Sequence, residues 1–229
     1  MPSYTIQINE HLLTFRTTDQ IFSPSALDRG TAAMLSVAEF SSGDKILDLG
    51  CGCGPVGILA ARLTSPEQVT MSDISAEAVS LAAQNADANG VGQGIRILQS
   101  DGFSGIADTD YTKILSNPPY HTDFSVAKGF IEQGFRHLAA GGVLYMVTKR
   151  REWYKNKLIS VFGGVHIDEI DGYYVFTARK TAAMSGSRAK NTREKTEKAA
   201  VKTQQLSKKL ARKKQRQKKN HSNCEAYRR

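Results

Sequence analysis

Cysteine is scarce in this chain, with three in 229 residues. Cys51 and Cys53 stand two apart inside a glycine-rich stretch, and Cys224 lies near the end. Residues two apart in a tight turn make a poor disulfide, and no further Cys/His pair sits at zinc spacing. A disulfide framework and a metal finger are therefore excluded as organising devices, and the loop cysteines read as small residues filling a turn. Long apolar runs are lacking too. No stretch reaches the roughly 18 residues of a membrane span, and the N-terminus has no charged-then-apolar signal pattern. The expectation is a reduced, soluble, cytoplasmic protein with no membrane partner, its oligomeric state open and a monomer favoured.

Acidic residues are rare at one end only. Residues 186–229 hold 16 Lys/Arg against 3 Glu, a net +13, whereas residues 1–185 hold 15 against 19, a net −4. The basic character of the whole chain, +9, therefore belongs to an appendix on a mildly acidic body. After Lys180 apolar residues thin out, and Lys208–Lys219 is almost continuously basic. Such a segment cannot bury enough surface to offset chain entropy and is expected to be disordered on its own. Three parts follow: a hairpin at 1–19, a main domain at 20–180 and a basic tail at 181–229.

The body reads as α/β. Two alternating runs, Tyr4–Ile8 and Leu12–Arg16, predict a short β-hairpin. A helix of about four turns is expected after Pro24, with Leu27, Met34, Leu35 and Val37 available for burial. Strand-like runs then recur at Lys45–Leu49, Gln68–Met71, Ile95–Gln99, Lys113–Ser116 and Gly142–Thr148. Helical stretches lie between them at Val56–Leu63, Ala76–Ala88 and Ser125–Ala139. Ser75 is a good N-cap and Asn89-Gly90 a good stop for the second of these helices. Gly164–Glu169 and Tyr173–Arg179 form a last strand pair, joined through an Asp171-Gly172 turn suited to an antiparallel hairpin. Alternating strands and helices call for a doubly wound, mostly parallel sheet covered on both faces.

Two motifs carry the chemistry. The first, Asp48-Leu49-Gly50-Cys51-Gly52-Cys53-Gly54, follows the apolar pair Ile46-Leu47. Its glycines allow a sharp strand-to-helix turn in which backbone comes close to a ligand, Pro55 suits the first helical turn, and the helix N-terminus offers N–H groups to an anion. Gly52–Gly57 also matches the G-x-G-x-x-G dinucleotide pattern, so a nicotinamide cofactor stands as a rival to any other ligand. Asp73, ending the second parallel strand, has a carboxylate able to accept both hydroxyls of a ribose, and would do so in either case. The second motif, Ser116-Asn117-Pro118-Pro119-Tyr120, ends the fourth strand. Asn117 offers a carboxamide oxygen and Pro118 a carbonyl, two acceptors that would orient an amine whose lone pair is delocalised into a ring. The prolines stiffen the loop and bring no competing N–H, and Tyr120 offers a flat face for a base.

In this order the two motifs resemble the cofactor and catalytic loops of class I S-adenosylmethionine-dependent methyltransferases acting on amino groups. The extension Asn117–His121 is similar to the small-domain ribosomal RNA guanine-N2 methyltransferases, in which Phe more often precedes the His. Phe22-Ser23-Pro24 with Leu27-Asp28-Arg29-Gly30-Thr31 resembles the entry segment of the same family. The resemblance implies a seven-stranded Rossmann-like sheet ending in an antiparallel hairpin, and S-adenosylmethionine as cofactor. It implies cofactor contacts from Asp48 at the amino acid end, Asp73 at the ribose and Asp101 at the adenine. Gly50, Cys51, Gly52, Gly54, Ile74, Gly102 and Asn117 line the way, and Phe22, Asp28, Gly30 and Thr31 help to close the pocket. Catalysis falls to Asn117, Pro118, Pro119 and Tyr120, with His121 a proton relay or merely a solvent-facing histidine.

The substrate expected from the resemblance is guanine N2 of ribosomal RNA. Adenine N6 and the side-chain amide of a protein glutamine share the Asn-Pro-Pro-Tyr signature and remain open, as does a non-catalytic RNA-binding or ribosome-assembly role. Lys149, Arg150 and Arg151, with Trp153 and Tyr154 interleaved, are candidates for gripping RNA, or else a solvated helix start over a packed Trp. The tail would add salt-sensitive, sequence-independent attraction.

Overall fold

The computed structural model describes residues 3–8, 10–18, 26–119 and 124–181. Phe22, Tyr120, His121 and all of the basic tail beyond residue 181 lie outside the described residues.

The body is built on a seven-stranded sheet. Its strands are β3 (Ile46–Leu49), β4 (Val69–Asp73), β5 (Arg96–Gln99), β6 (Tyr111–Ser116), β7 (Leu138–Thr148), β8 (His166–Ile170) and β9 (Tyr173–Arg179). The order across the sheet is β5-β4-β3-β6-β7-β9-β8, all neighbours parallel except β9, which runs antiparallel to both β7 and β8. From β3 the chain steps outward through β4 and β5, then returns to β6 on the other side. The reversal opens a crevice beyond the carboxyl ends of β3 and β6, the place where open α/β sheets bind ligands. All four residues of β3 are buried, as a central parallel strand covered on both faces requires. The last hairpin turns at Asp171 and Gly172, with φ of 51° and 76°, the pair of positive angles a two-residue type I′ turn needs.

Among the described residues five α-helices flank the sheet: α1 (Arg29–Val37), α2 (Pro55–Leu63), α3 (Ala76–Ala88), α4 (Phe124–His137) and α5 (Arg151–Phe162). Ser75 caps α3 by accepting from the Ala78 N–H, as its sequence position implies. The structure corrects the sequence-based expectation at three points. The first helix has nine residues rather than four turns, because the Asp28 side chain caps it at the Thr31 N–H and Ala38 leaves it in an extended conformation. Leu138, expected on the fourth helix, instead opens β7, fully buried opposite Tyr111. The basic stretch from Lys149 onward holds a whole helix, α5. Tyr154, Leu158, Val161 and Phe162 form its buried stripe, at a spacing masked by the charges between them.

The N-terminal hairpin, β1 (Ser3–Ile8) with β2 (His11–Arg16), is a sheet of its own. It buries Leu13 and Phe15 against the main core. Two asparagines one turn apart dock it, Asn85 on α3 and Asn89 at its C-cap. Asn85 accepts from the Arg16 N–H at 2.8 Å and donates to the Arg16 carbonyl at 3.0 Å. Asn89 accepts from the Thr14 N–H at 3.0 Å and donates to its carbonyl at 2.8 Å. Each side-chain amide thus stands in for the missing next strand, and Asn85 also donates to the Cys53 carbonyl at 2.9 Å, tying the hairpin to the glycine loop.

Candidate active site

At the carboxyl ends of β3, β4 and β6 lies a cleft of about 560 Å³. Within it the structure brings together Gly50, Cys51, Gly52, Asp73, Ile74, Asp101, Gly102, Thr31, Asn117, Pro118 and Pro119, all singled out from sequence. Asp28, weighed from its entry segment, also lines it.

The glycine loop owes its shape to backbone. Gly50 and Gly52 have φ of 79° and 55°, and a Cβ on either would meet no atom within 4 Å. That open space is the cleft itself. The N–H groups of Gly50 and Cys51 both donate to the Ser72 carbonyl, at 2.8 and 3.0 Å. Asp73 accepts from Gly52 N–H at 2.9 Å with Oδ2 and from Ser75 N–H at 2.9 Å with Oδ1, so its carboxylate is aimed before any ligand arrives.

Asp48 and Gly54 work from behind. Neither lines the cleft. Asp48 is 3% exposed, and its Oδ2 accepts from the Gly57 N–H at 2.9 Å. Burial pushes its pKa up to about 7, the Gly57 hydrogen bond opposing and the Asp73 charge adding. The expectation of free N–H groups at the start of α2 is accordingly reduced, since Pro55 has none and Gly57 gives its own to Asp48. Gly54, with φ of 91°, is the cap of that helix, and a Cβ there would crowd Ile58, Met71 and Ala82. Burial also pushes the Cys51 thiol well above its ordinary range, helped by the charges of Asp48 and Asp73, which disfavours a nucleophilic thiolate.

On the neighbouring strand, Ser116 donates to the Leu49 carbonyl at 2.8 Å and pins the end of β6 to the end of β3. Asn117 follows, its Nδ2 donating to Asp28 Oδ2 at 2.7 Å and to Thr31 Oγ1 at 3.0 Å. Pro118 is buried beside it.

Lys149, Arg150 and Arg151 do not reach the cleft. They stand at the start of α5, each over an aromatic ring. Lys149 Nζ is 4.8 Å from the Tyr173 centroid, Arg150 is 5.1 Å from Phe124, and Arg151 is 5.9 Å from Tyr174 while pairing with Glu152 at 2.7 Å. Trp153 stacks on Phe124 at 4.3 Å, a packing contact that joins α4 to α5.

Several wall residues escape a reading of the sequence. Val126 and Phe130 come from one face of α4, four residues apart just after the catalytic loop, a legible spacing that by itself points to the core. Tyr4 comes from the hairpin, its hydroxyl 3.6 Å from Cys53 Sγ, and nothing local to its sequence marks it.

Comparison with known proteins places these features. The model of the family described as methyltransferase small domain matches residues 12–177. A ribosomal RNA small subunit methyltransferase C from Acinetobacter baumannii is 32% identical over 185 residues, covering 78% of this chain and 54% of that protein. The uncharacterized protein YbxB of Bacillus subtilis is 30% identical over 184 residues, covering 78% of this chain and 91% of YbxB. The chain thus spans about half the length of the small subunit methyltransferase C relative but nearly all of YbxB. Among solved structures, the Thermus thermophilus 16S rRNA N2 G1207 methyltransferase RsmC, in complex with AdoMet and guanosine, superposes with a TM-score of 0.72 at 24% identity. It covers 78% of this chain and 50% of its own.

Proposed function

This chain belongs to the methyltransferase small domain family, and on that footing we propose that it is an S-adenosylmethionine-dependent N-methyltransferase acting on an exocyclic amine of ribosomal RNA in the cytoplasm, guanine N2 in the first place. One observation carries the reading. Two motifs 69 residues apart (48 to 117), one suited to a cofactor and one to an amine, come together in a single cleft.

The residues present fit the cofactor. The space a Cβ would take above Gly50 and Gly52 is kept clear. Asp73 has lone pairs to spare beyond its two backbone hydrogen bonds and suits a pair of ribose hydroxyls. Ile74, 64% exposed, and Phe130 would offer apolar faces to a flat base, and Asp101, which also lines the cleft, would accept from its amino group. When bound, S-adenosylmethionine supplies an electrophilic methyl group on a sulfonium sulfur.

The chain's own part is orientation. The Asn117 carboxamide oxygen and the Pro118 carbonyl accept the two hydrogens of the amine and turn its lone pair out of conjugation, towards the methyl. Neither proline competes with an N–H of its own. No strong base is required, because the nitrogen becomes acidic on methylation and its proton passes to water. The target base is extruded or already single-stranded, since a duplex hides its amines. Tyr120 then offers it a stacking face, Lys149, Arg150 and Arg151 hold phosphates, and the +13 tail adds salt-sensitive attraction.

The test is transfer of labelled methyl from S-adenosylmethionine to ribosomal RNA and ribosomal subunits from a strain lacking this gene, followed by nucleoside analysis. Label in N2-methylguanosine is expected. Label in N6-methyladenosine would move the substrate to adenine, label only in protein would replace RNA by a glutamine side chain, and absence of cofactor binding would leave an RNA-binding module.

A further inference from the structure

Asn117 and Asp28 are 89 residues apart in sequence, yet their side chains meet at 2.7 Å. Asp28 Oδ2 accepts from three donors: the Thr31 N–H at 2.8 Å, the Thr31 hydroxyl at 3.3 Å and Asn117 Nδ2. The Thr31 hydroxyl, having given its proton to Asp28, accepts the second Nδ2 hydrogen of Asn117 at 3.0 Å. A closed ring results, in which every donor has one acceptor assigned to it.

The ring matters because the two ends of a carboxamide have nearly the same size and opposite polarity. Which end faces the amine is decided by what lies behind it. An ionised carboxylate is acceptor-only, so the Asp28 side can take the NH2 end and repels the oxygen. The oxygen is thereby turned to the opposite end of the amide group, away from Asp28. The reversed orientation would offer an N–H to an amine that itself donates, and no orienting hydrogen bond would form.

We propose that Asp28, supported by Thr31, is a positioning residue that selects the acceptor-forward orientation of the Asn117 carboxamide and so makes the site specific for an amine. The proposal rests on the functional reading above and gives Asp28 a task distinct from closing the cofactor pocket. The location suits the task. Asp28 is the N-cap of α1, so its carboxylate is held by backbone, and it reaches the end of β6 from outside the loop it controls.

The capping role also supplies a clean variant. Asn caps a helix about as well as Asp, so Asp28→Asn should leave α1 and the melting midpoint intact. At the shared Oδ2 position it leaves a neutral acceptor where an ionised one stood, so the preference for the NH2 end of Asn117 weakens, and its own NH2 can face Asn117 only if the amide turns over and gives up the cap. With saturating cofactor, single-turnover methyl transfer to RNA should fall about 10- to 100-fold in Asp28→Asn, while the RNA KM and the cofactor Kd change by no more than about twofold. Asn117→Asp sets two carboxylates against each other and should fall further; adding Asp28→Asn to it restores a donor–acceptor pair and should recover at least about tenfold. Wild-type rates in Asp28→Asn, or no recovery in the double variant, would overturn the proposal. So would a loss of cofactor affinity or melting midpoint parallel to the loss of rate, which would make Asp28 a pocket or folding residue. Asn117→Ala separates the two claims: if it is inactive while Asp28→Asn is normal, the positioning role falls and the functional reading stands, whereas an active Asn117→Ala would remove both.

Discussion

The two walls of the cleft are held in different ways. The glycine loop is fixed by groups close to it in sequence or on the adjoining strand: Asp48 to Gly57, Asp73 to Gly52, and the Ser72 carbonyl to Gly50 and Cys51. The catalytic wall is fixed from a distance, by Ser116 to the Leu49 carbonyl and by Asp28 and Thr31 to Asn117. A loop shaped by its own backbone needs only the right local residues. A side chain that must present one face of an amide needs a partner whose position the whole fold decides.

This contrast can be broken at several points. Asn117→Ala should cause the largest loss, reducing transfer by at least about 10²-fold while cofactor affinity stays nearly intact. Isothermal titration beside a labelled-methyl assay checks it, and a parallel loss of affinity would mean the two walls are not separable.

Gly57→Ala should strike the other wall, through stability. Its Cβ would run into the buried Met71 side chain and lie 3.3 Å from Asp48 Oδ2, so the neighbours must move. Overpacking of this kind costs about 1–3 kcal/mol, read as a lower urea midpoint, and the cofactor should bind more weakly because the Asp48 contact is displaced.

Asp48 sharpens the comparison through pH. Its folded pKa of about 7 lies above the usual 3.8, so between these values the folded protein keeps a proton that the unfolded chain has released. Stability from this group is full below about pH 4 and is lost as pH rises through 7. Between pH 5 and pH 8 wild type should lose about 1–3 kcal/mol relative to Asp48→Asn, which still accepts from Gly57 and carries no titration. Equal urea midpoint shifts in the two proteins would show that Asp48 is not the group responsible.

The smallest effect on the cleft should come from deleting residues 186–229. Cofactor binding should not change, whereas RNA affinity should weaken and its dependence on salt flatten, by up to about 0.7–0.9 in log–log slope for each phosphate that the tail had neutralised. An unchanged slope would reduce the tail to a solubility device.

Much of this is legible in the chain. The Asp-Gly turn, the Ser75 cap and the strand at 46–49 are dictated by neighbours a few residues away, and each appears where sequence places it. The fifth helix is not, because Lys and Arg between its apolar positions look like a solvated segment until β9 and α4 are there to cover Tyr154, Leu158 and Phe162.

By itself, then, the sequence determined the order of the strands and of the first four helices, the glycine turn and the residues of the two motifs, since these follow from backbone preference and periodicity. Only the tertiary structure decided that Tyr4, Val126 and Phe130 share the cleft, that Asp48 supports the loop from behind rather than lining the cleft, and that Asp28 meets Asn117. The reason is physical. Hydrogen bonds and packing depend on distance in space, and no local pattern records which of two remote residues the sheet will bring within hydrogen-bonding reach.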